Sequence, residues 1–329
     1  MNTTHAQRVA EGIYQVRIPL PFALNSVNCY LLRDDDGWAI VDTGINWPRA
    51  LDAWRAAFAE LHITPANISR IILTHVHPDH YGLAGWWQVQ AAAHGRTVHV
   101  YTSEREILQA RLIWSDTERV HFGQWLVKHG MPEAMAQEVH DGMEDTRIMT
   151  KPAPSALQTL DTSQPLQIGV RRFRLYQVGG HSDGHLLLHD EDDQLMLCGD
   201  HVLMKITPNI GIWTQTDPNP LGKFITSLGW LRDLPLRLAL PGHKILIHDW
   251  RGRIEELLAH HEERLKATLE AVYDGRHTPY EVSLALFDSS RFTPHEWRFA
   301  LAEGLSHLDY LHYQGQLARD AERSAYYLM

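Results

Sequence analysis

Cysteine is scarce in this chain, with two residues, Cys29 and Cys198, in 329 positions. Each lies in a strand-like segment, so the pair cannot form a dense disulfide framework and each reads as a buried free thiol. Long apolar runs are missing too. No stretch of about 18 apolar residues occurs, which excludes a membrane-spanning helix, and Met1 to Val16 has no basic segment leading into an apolar one of the kind that directs export. A cytoplasmic protein with no membrane association is the expectation. Positive charge is in deficit: 30 Lys and Arg against 40 Asp and Glu leave a formal charge of −10, which argues against a general nucleic-acid binder. No glycine-rich phosphate loop suggests a nucleotide cofactor.

Histidine, by contrast, is plentiful, and one cluster organises the chain. Thr74-His75-Val76-His77-Pro78-Asp79-His80 follows the apolar run Ile71-Ile72-Leu73. Imidazole and carboxylate are ligands for zinc or a related ion, and a turn at a strand end can aim neighbouring side chains at one point. His75 and His77 are two apart, so an extended backbone throws both to one side, while Asp79 and His80 follow the turn at Pro78 and can face a second ion. Three more ligand types sit on turns after apolar strands: Gly180-His181, Gly199-Asp200 and Gly242-His243.

In these residues the sequence closely resembles the metallo-β-lactamase superfamily of binuclear hydrolases, over about residues 10 to 250. The resemblance implies that His75, His77 and His181 hold one divalent ion and Asp79, His80 and His243 a second, with Asp200 bridging. Zinc is the expected metal, with iron and manganese as alternatives. It also implies that two ions supply hydroxide near neutral pH and that Asp79 orients it, so no Ser or Cys nucleophile is needed. Asp42, ending a strand, is expected to accept a hydrogen bond from a ligand histidine, and His185 to lie behind the ligands. Cys198 and His201, beside Asp200, are expected to be structural.

The implied fold is α/β, a four-layer αβ/βα sandwich in a catalytic domain over residues 1–249. Alternating segments near residues 12–19, 26–33 and 38–41 open a sheet, and a helix runs from Trp47 to about Leu61. From 103 to 150 helical spacing replaces alternation, at Ile107, Leu108, Leu112, Val120, Trp125, Leu126, Met135 and Val139, which reads as a helical insertion, either a cap over the site or plain scaffold. Strands then start again at Ala156 and build the second half. Residues 250–329 read as a helical extension, similar to the winged-helix tail of one superfamily branch that includes endoribonucleases. That tail carries nine basic and thirteen acidic residues, where a nucleic-acid module should show a basic stripe. A pocket wall or a dimer interface is its expected role, so a homo-oligomer stays open.

Substrate contacts are expected from Tyr81 and from the loop after Asp200, at Met204, Lys205, Asn209 and Trp213. The ligand set alone does not choose among substrates. A small ester-like molecule, a thioester first, is the expectation. Lactonase, phosphodiesterase or endoribonuclease, and iron-dependent oxidoreductase of the sulfur dioxygenase kind are the alternatives.

Overall fold

The computed structural model describes residues 4–114 and 116–329, without the side chains of 116–120. Val120, one of the helically spaced residues, therefore lies outside the described side chains. The chain opens with β1 (Ala6–Ala10), β2 (Ile13–Pro19), β3 (Ser26–Asp34), β4 (Gly37–Val41), α1 (Pro48–Glu60), β5 (Ile68–Ile72), the single turn α2 (Pro78–Tyr81), α3 (Ala84–Ala93) and β6 (His99–Thr102). It continues through α4 (Glu104–Ile113), α5 (Asp116–Lys128), α6 (Glu133–Ile148), β7 (Leu157–Thr159), β8 (Leu166–Ile168), β9 (Arg171–Val178), β10 (His185–Asp190), β11 (Leu195–Gly199), α7 (Pro220–Leu231) and β12 (Leu238–Pro241). The last elements are α8 (Trp250–Tyr273), α9 (Pro279–Leu286), α10 (Pro294–Tyr313), β13 (Leu317–Asp320) and β14 (Ala325–Leu328).

Strands β1 to β7 form one sheet in chain order, and β12-β11-β10-β9-β8 form a second. The two pack face to face. Along β3, Tyr30 and Leu32 point to the second sheet, where they meet Phe173, Leu188 and Leu197, while Val27, Cys29 and Leu31 point the other way, towards Trp54 of α1 and Trp87 of α3. Likewise Leu195 and Leu197 of β11 face the first sheet, and Met196 and Cys198 face α7 and α8. Strands covered on both faces need apolar residues at every position, which explains the unbroken run Leu195-Met196-Leu197-Cys198. The result is the αβ/βα sandwich. Each cysteine is a buried free thiol on an outer sheet face.

Two elements differ from the sequence reading. Residues 157–159 belong to the first sheet, because β7 pairs parallel with β6, from Val100↔Leu157 to Thr102↔Thr159. Helices α4 to α6 are therefore the crossover that a parallel pair requires. The tail is also not helical throughout, since β13 and β14 pair as an antiparallel hairpin from Leu317↔Leu328 to Asp320↔Ala325. Among the described residues no helix is long and apolar enough to cross a membrane.

Candidate active site

All the ligand-bearing turns leave the C-terminal ends of strands along one edge of the sandwich. His75 and His77 follow β5, His181 follows β9, Asp200 follows β11 and His243 follows β12, while Asp79 and His80 lie in α2. The structure brings the seven together in three overlapping sets: His75, His77 and His181; His75, His80 and Asp200; and Asp79, His80 and His243. Within each set the ligand atoms lie within 4.8 Å of one another. Asp200 reaches both flanks. Its Oδ2 is 3.7 Å from His181 Nε2 and 3.2 Å from His243 Nε2, and its Oδ1 is 3.4 Å from His80 Nε2. Glycine is required beside it, because a Cβ on Gly242 would sit 2.2 Å from Asp200 Oδ1.

Three of the five imidazoles are aimed by their other nitrogen. His80 Nδ1 donates to Asp42 Oδ2 at 2.8 Å, His181 Nδ1 to the Asn209 carbonyl at 2.9 Å and His243 Nδ1 to the Ser26 carbonyl at 2.7 Å. Asp42 also accepts from the Thr74 backbone N–H and hydroxyl, both at 2.8 Å, so one carboxylate sets the start of the ligand turn and the tautomer of His80. It does so from a left-handed backbone conformation, φ 59°, held by its surroundings. His185 stands behind Asp200, its Nε2 accepting the Asp200 backbone N–H at 3.1 Å and its ring stacked on His75 at 4.8 Å. His201 turns away, to Ser227 Oγ at 2.7 Å.

The donors left over fit a bound cation. His75 Nε2, His80 Nε2, His243 Nε2 and Asp200 Oδ1 are all buried without a hydrogen-bond partner, and such orphans are rare unless an ion or water satisfies them. Burial pushes His75 well below the usual histidine range and His77 down to about 3, so both are neutral, the form in which an imidazole can take a metal. On His243 burial acts the same way, but Asp200 and Asp79 outweigh it and raise the ring to about 10. The two carboxylates thus favour positive charge on that side, which a metal ion supplies as well as a proton does.

The site opens into a cavity of about 410 Å³. Its walls come from the 22–24 loop, from α4 to α6, from the loop after Asp200 and from α10. Trp213 and Asn209 line it, but the Asn209 side chain is engaged elsewhere, donating to Glu303 Oε2 at 2.9 Å. Tyr81, Met204 and Lys205 are not among the described lining residues. Tyr81 is buried and stacks on Trp114 at 5.8 Å, and Met204 packs beneath β11 and α7. Both the insertion and the tail wall the cavity, which answers whether the insertion reaches the site.

Glu106 is a positioning residue that the sequence hides. Fully buried in α4, it accepts the Val76 N–H at 2.9 Å and the Gly184 N–H at 2.8 Å, and so ties the His75–His80 turn to the His181–His185 turn. Ser103-x-x-Glu106 has the spacing of a helix capping box, and Ser103 Oγ does accept the Glu106 N–H at 3.1 Å, but the carboxylate is spent on the two ligand turns.

A sequence profile described as Metallo-beta-lactamase superfamily matches residues 23–243, and one described as Metallo-beta-lactamase-like, C-terminal domain matches residues 265–327. The chain is 25% identical over 309 residues to the Bacillus subtilis (strain 168) protein named "Probable metallo-hydrolase YqjP", with 92% of each chain covered. Among solved structures it is similar to a metallo-beta-lactamase family protein from Thermus thermophilus, with TM-score 0.86 and 35% identity over 98% of this chain and 100% of that one. A beta-lactamase domain protein from Burkholderia ambifaria follows, with TM-score 0.85 and 27% identity over 100% and 95% of the two chains. A match that spans residues 23–243, on a fold whose strand ends gather the family's ligand types, makes this chain a member of the metallo-beta-lactamase superfamily and a hydrolase of that fold.

Proposed function

We propose that this protein hydrolyses a small ester-like molecule, a thioester first, at a centre of two divalent ions, zinc before iron or manganese. The observation that carries the reading is the overlap of the ligand sets, the His75–His80–Asp200 set sharing His75 with one neighbour and His80 with the other, at the floor of a cavity whose surface is mainly apolar, with Phe22, Trp114, Phe122, Trp213 and Phe299 in its walls. Two ions held by five imidazoles and two carboxylates would supply Lewis acidity and hydroxide near neutral pH.

The chain's own groups do the rest. Asp79 faces the cavity, and its Oδ2 lies 3.2 Å from His243 Nε2, so it can take a proton from a water lodged there and hold that water in line with a carbonyl carbon. Asp42, Asn209 and Ser26 keep three imidazoles in fixed tautomers, which removes reorientation from the reaction. The aromatic walls exclude bulk water and suit an acyl chain better than a phosphodiester backbone. Acidic charge overall and a cavity closed in by α6 and α10 also disfavour RNA.

The test is a panel of acyl thioesters, lactones, phosphodiesters, β-lactams and short RNA offered to the metal-loaded protein. Thioesters should be cleaved fastest, with activity lost on chelation and restored by metal. Full activity in chelated protein, or no cleavage of any ester by protein carrying about two ions, would sink the reading.

A further inference from the structure

The wall of the cavity supplied by α10 contains a cation that forms no ion pair with any of the described residues. Arg298 is only 7% exposed. Its guanidinium lies 4.2 Å over the neighbouring Phe299 ring, Nη1 touches Met143 Sδ of α6, and the buried Nε has no hydrogen-bond partner. Glu296, two residues earlier, is turned back onto the start of its own helix, where it accepts from the Thr293 N–H and hydroxyl, both at 2.8 Å. Burial draws the guanidinium down to about 10, which leaves it charged at neutral pH, and the acid whose charge acts against that fall is Asp79, already engaged with His243.

A buried charge without an ion-pair partner is among the least favourable arrangements in a protein, and this one faces the cavity that holds the ligand cluster. The planar fork of a guanidinium matches a carboxylate. The helix start nearby cannot compete for an anion, since Thr293 and Glu296 cap it.

Building on the hydrolytic reading above, we propose that Arg298 seats a carboxylate at the end of the substrate remote from the bond that breaks. The substrate is then the thioester or ester of an acid with a second, free carboxylate, its chain lying along the aromatic walls. A single guanidinium, unsupported by another free cation among the described lining residues, favours a monoanionic carboxylate over a phosphate.

Binding is tested by calorimetry on metal-loaded protein with glutarate, adipate and suberate, each beside its monoamide. Both members of a pair keep one carboxylate for the metal side, so the difference reports the other end. At the length that fits, the diacid should bind about 10- to 100-fold tighter, the usual worth of a charge-assisted pair. Arg298→Gln should bring that ratio close to one, and Arg298→Lys should retain part of it. Equal binding of diacid and monoamide at every length, or a preference that survives in Arg298→Gln, overturns the proposal. Circular dichroism checks the fold; if Arg298→Gln does not fold, the wild-type ratio and the Arg298→Lys ratio decide. Thioesters ending in a free carboxylate or in an amide provide the second arm, read as a ratio of kcat/KM. Cleavage of both at one rate with equal binding removes the carboxylate seat and leaves the hydrolase. Diacid preference without cleavage of either does the reverse.

Discussion

Asp79 and Asp200 are neighbours at the floor of the cavity with different surroundings. Asp200 is 6% exposed and reaches three imidazoles, whereas Asp79 approaches His243 at 3.2 Å and His80 only at 3.9 Å, and faces the cavity. Replacing Asp79 by Asn keeps its shape and removes the charge that draws and orients a water. We expect Asp79→Asn to lower kcat by about 100-fold or more with an unchanged circular dichroism spectrum, because positioning and general-base effects are each of that size. Near-native turnover would assign the water to another group. The ligand residues were readable in the chain because they fall in short local clusters, each after a strand and beside Gly or Pro. Arg298, Glu303 and Asn209 were not readable in these roles. Their partners lie up to 155 positions away, and nothing near them in sequence marks a cation as unpaired or a carbonyl as the support of His181.

The elements around the site are joined by few groups, and Glu106 is the clearest of them. Its two oxygens hold the turn after β5 to the turn before β10, which belong to different sheets. Glu106→Ala leaves both N–H groups buried without an acceptor, at roughly 1–3 kcal/mol each, whereas Glu106→Gln keeps one acceptor oxygen. Urea unfolding should show a loss of about 2–6 kcal/mol for Ala and about half that for Gln. A midpoint that does not move would mean that water replaces the carboxylate. Helices and long strands were legible from periodicity, since α1 and β3 fall within a residue or so of the expected limits. The β13–β14 hairpin escaped, its strands being four residues long each, while β7, three residues within the strand expected from Ala156, was misplaced only in its sheet. β7 takes its partner from the far side of a three-helix crossover, so local pattern could not say which sheet it joins.

Across the whole molecule, the tail is braced within itself by a buried histidine pair and fastened to the rest through a shared core. His261 of α8 and His307 of α10 meet at 3.3 Å, and burial lowers them to about 2 and about 4. Both are neutral in the folded protein, while in the unfolded chain a histidine titrates near 6.5. As pH falls below about 6.5 the unfolded chain takes up protons that the native state refuses, so this part of the stability is present above 6.5 and drains away towards pH 4. For His307 the full effect is about 3 kcal/mol. Glu106 and Glu303, each pushed by burial up to about 7, act with the opposite sign in the same window, favouring the fold as pH falls. The histidine term should therefore be read as a difference: Tm of the wild type should fall more steeply from pH 6.5 to 4 than Tm of His307→Gln. Parallel curves would place the acid sensitivity elsewhere.

The shared core also bears on how such a chain can diversify. Leu126, Ala136 and Val139 of the crossover pack with Trp297, Ala300 and Leu301 of the tail, and Met143 touches Arg298 across the same seam, 155 positions along the chain. One wall of the cavity is thus encoded in two distant stretches. A chimaera that imports a crossover from a relative without the matching tail carries half of a specificity, with a foreign surface against the native seam. New preference at this site is inherited as a pair of segments.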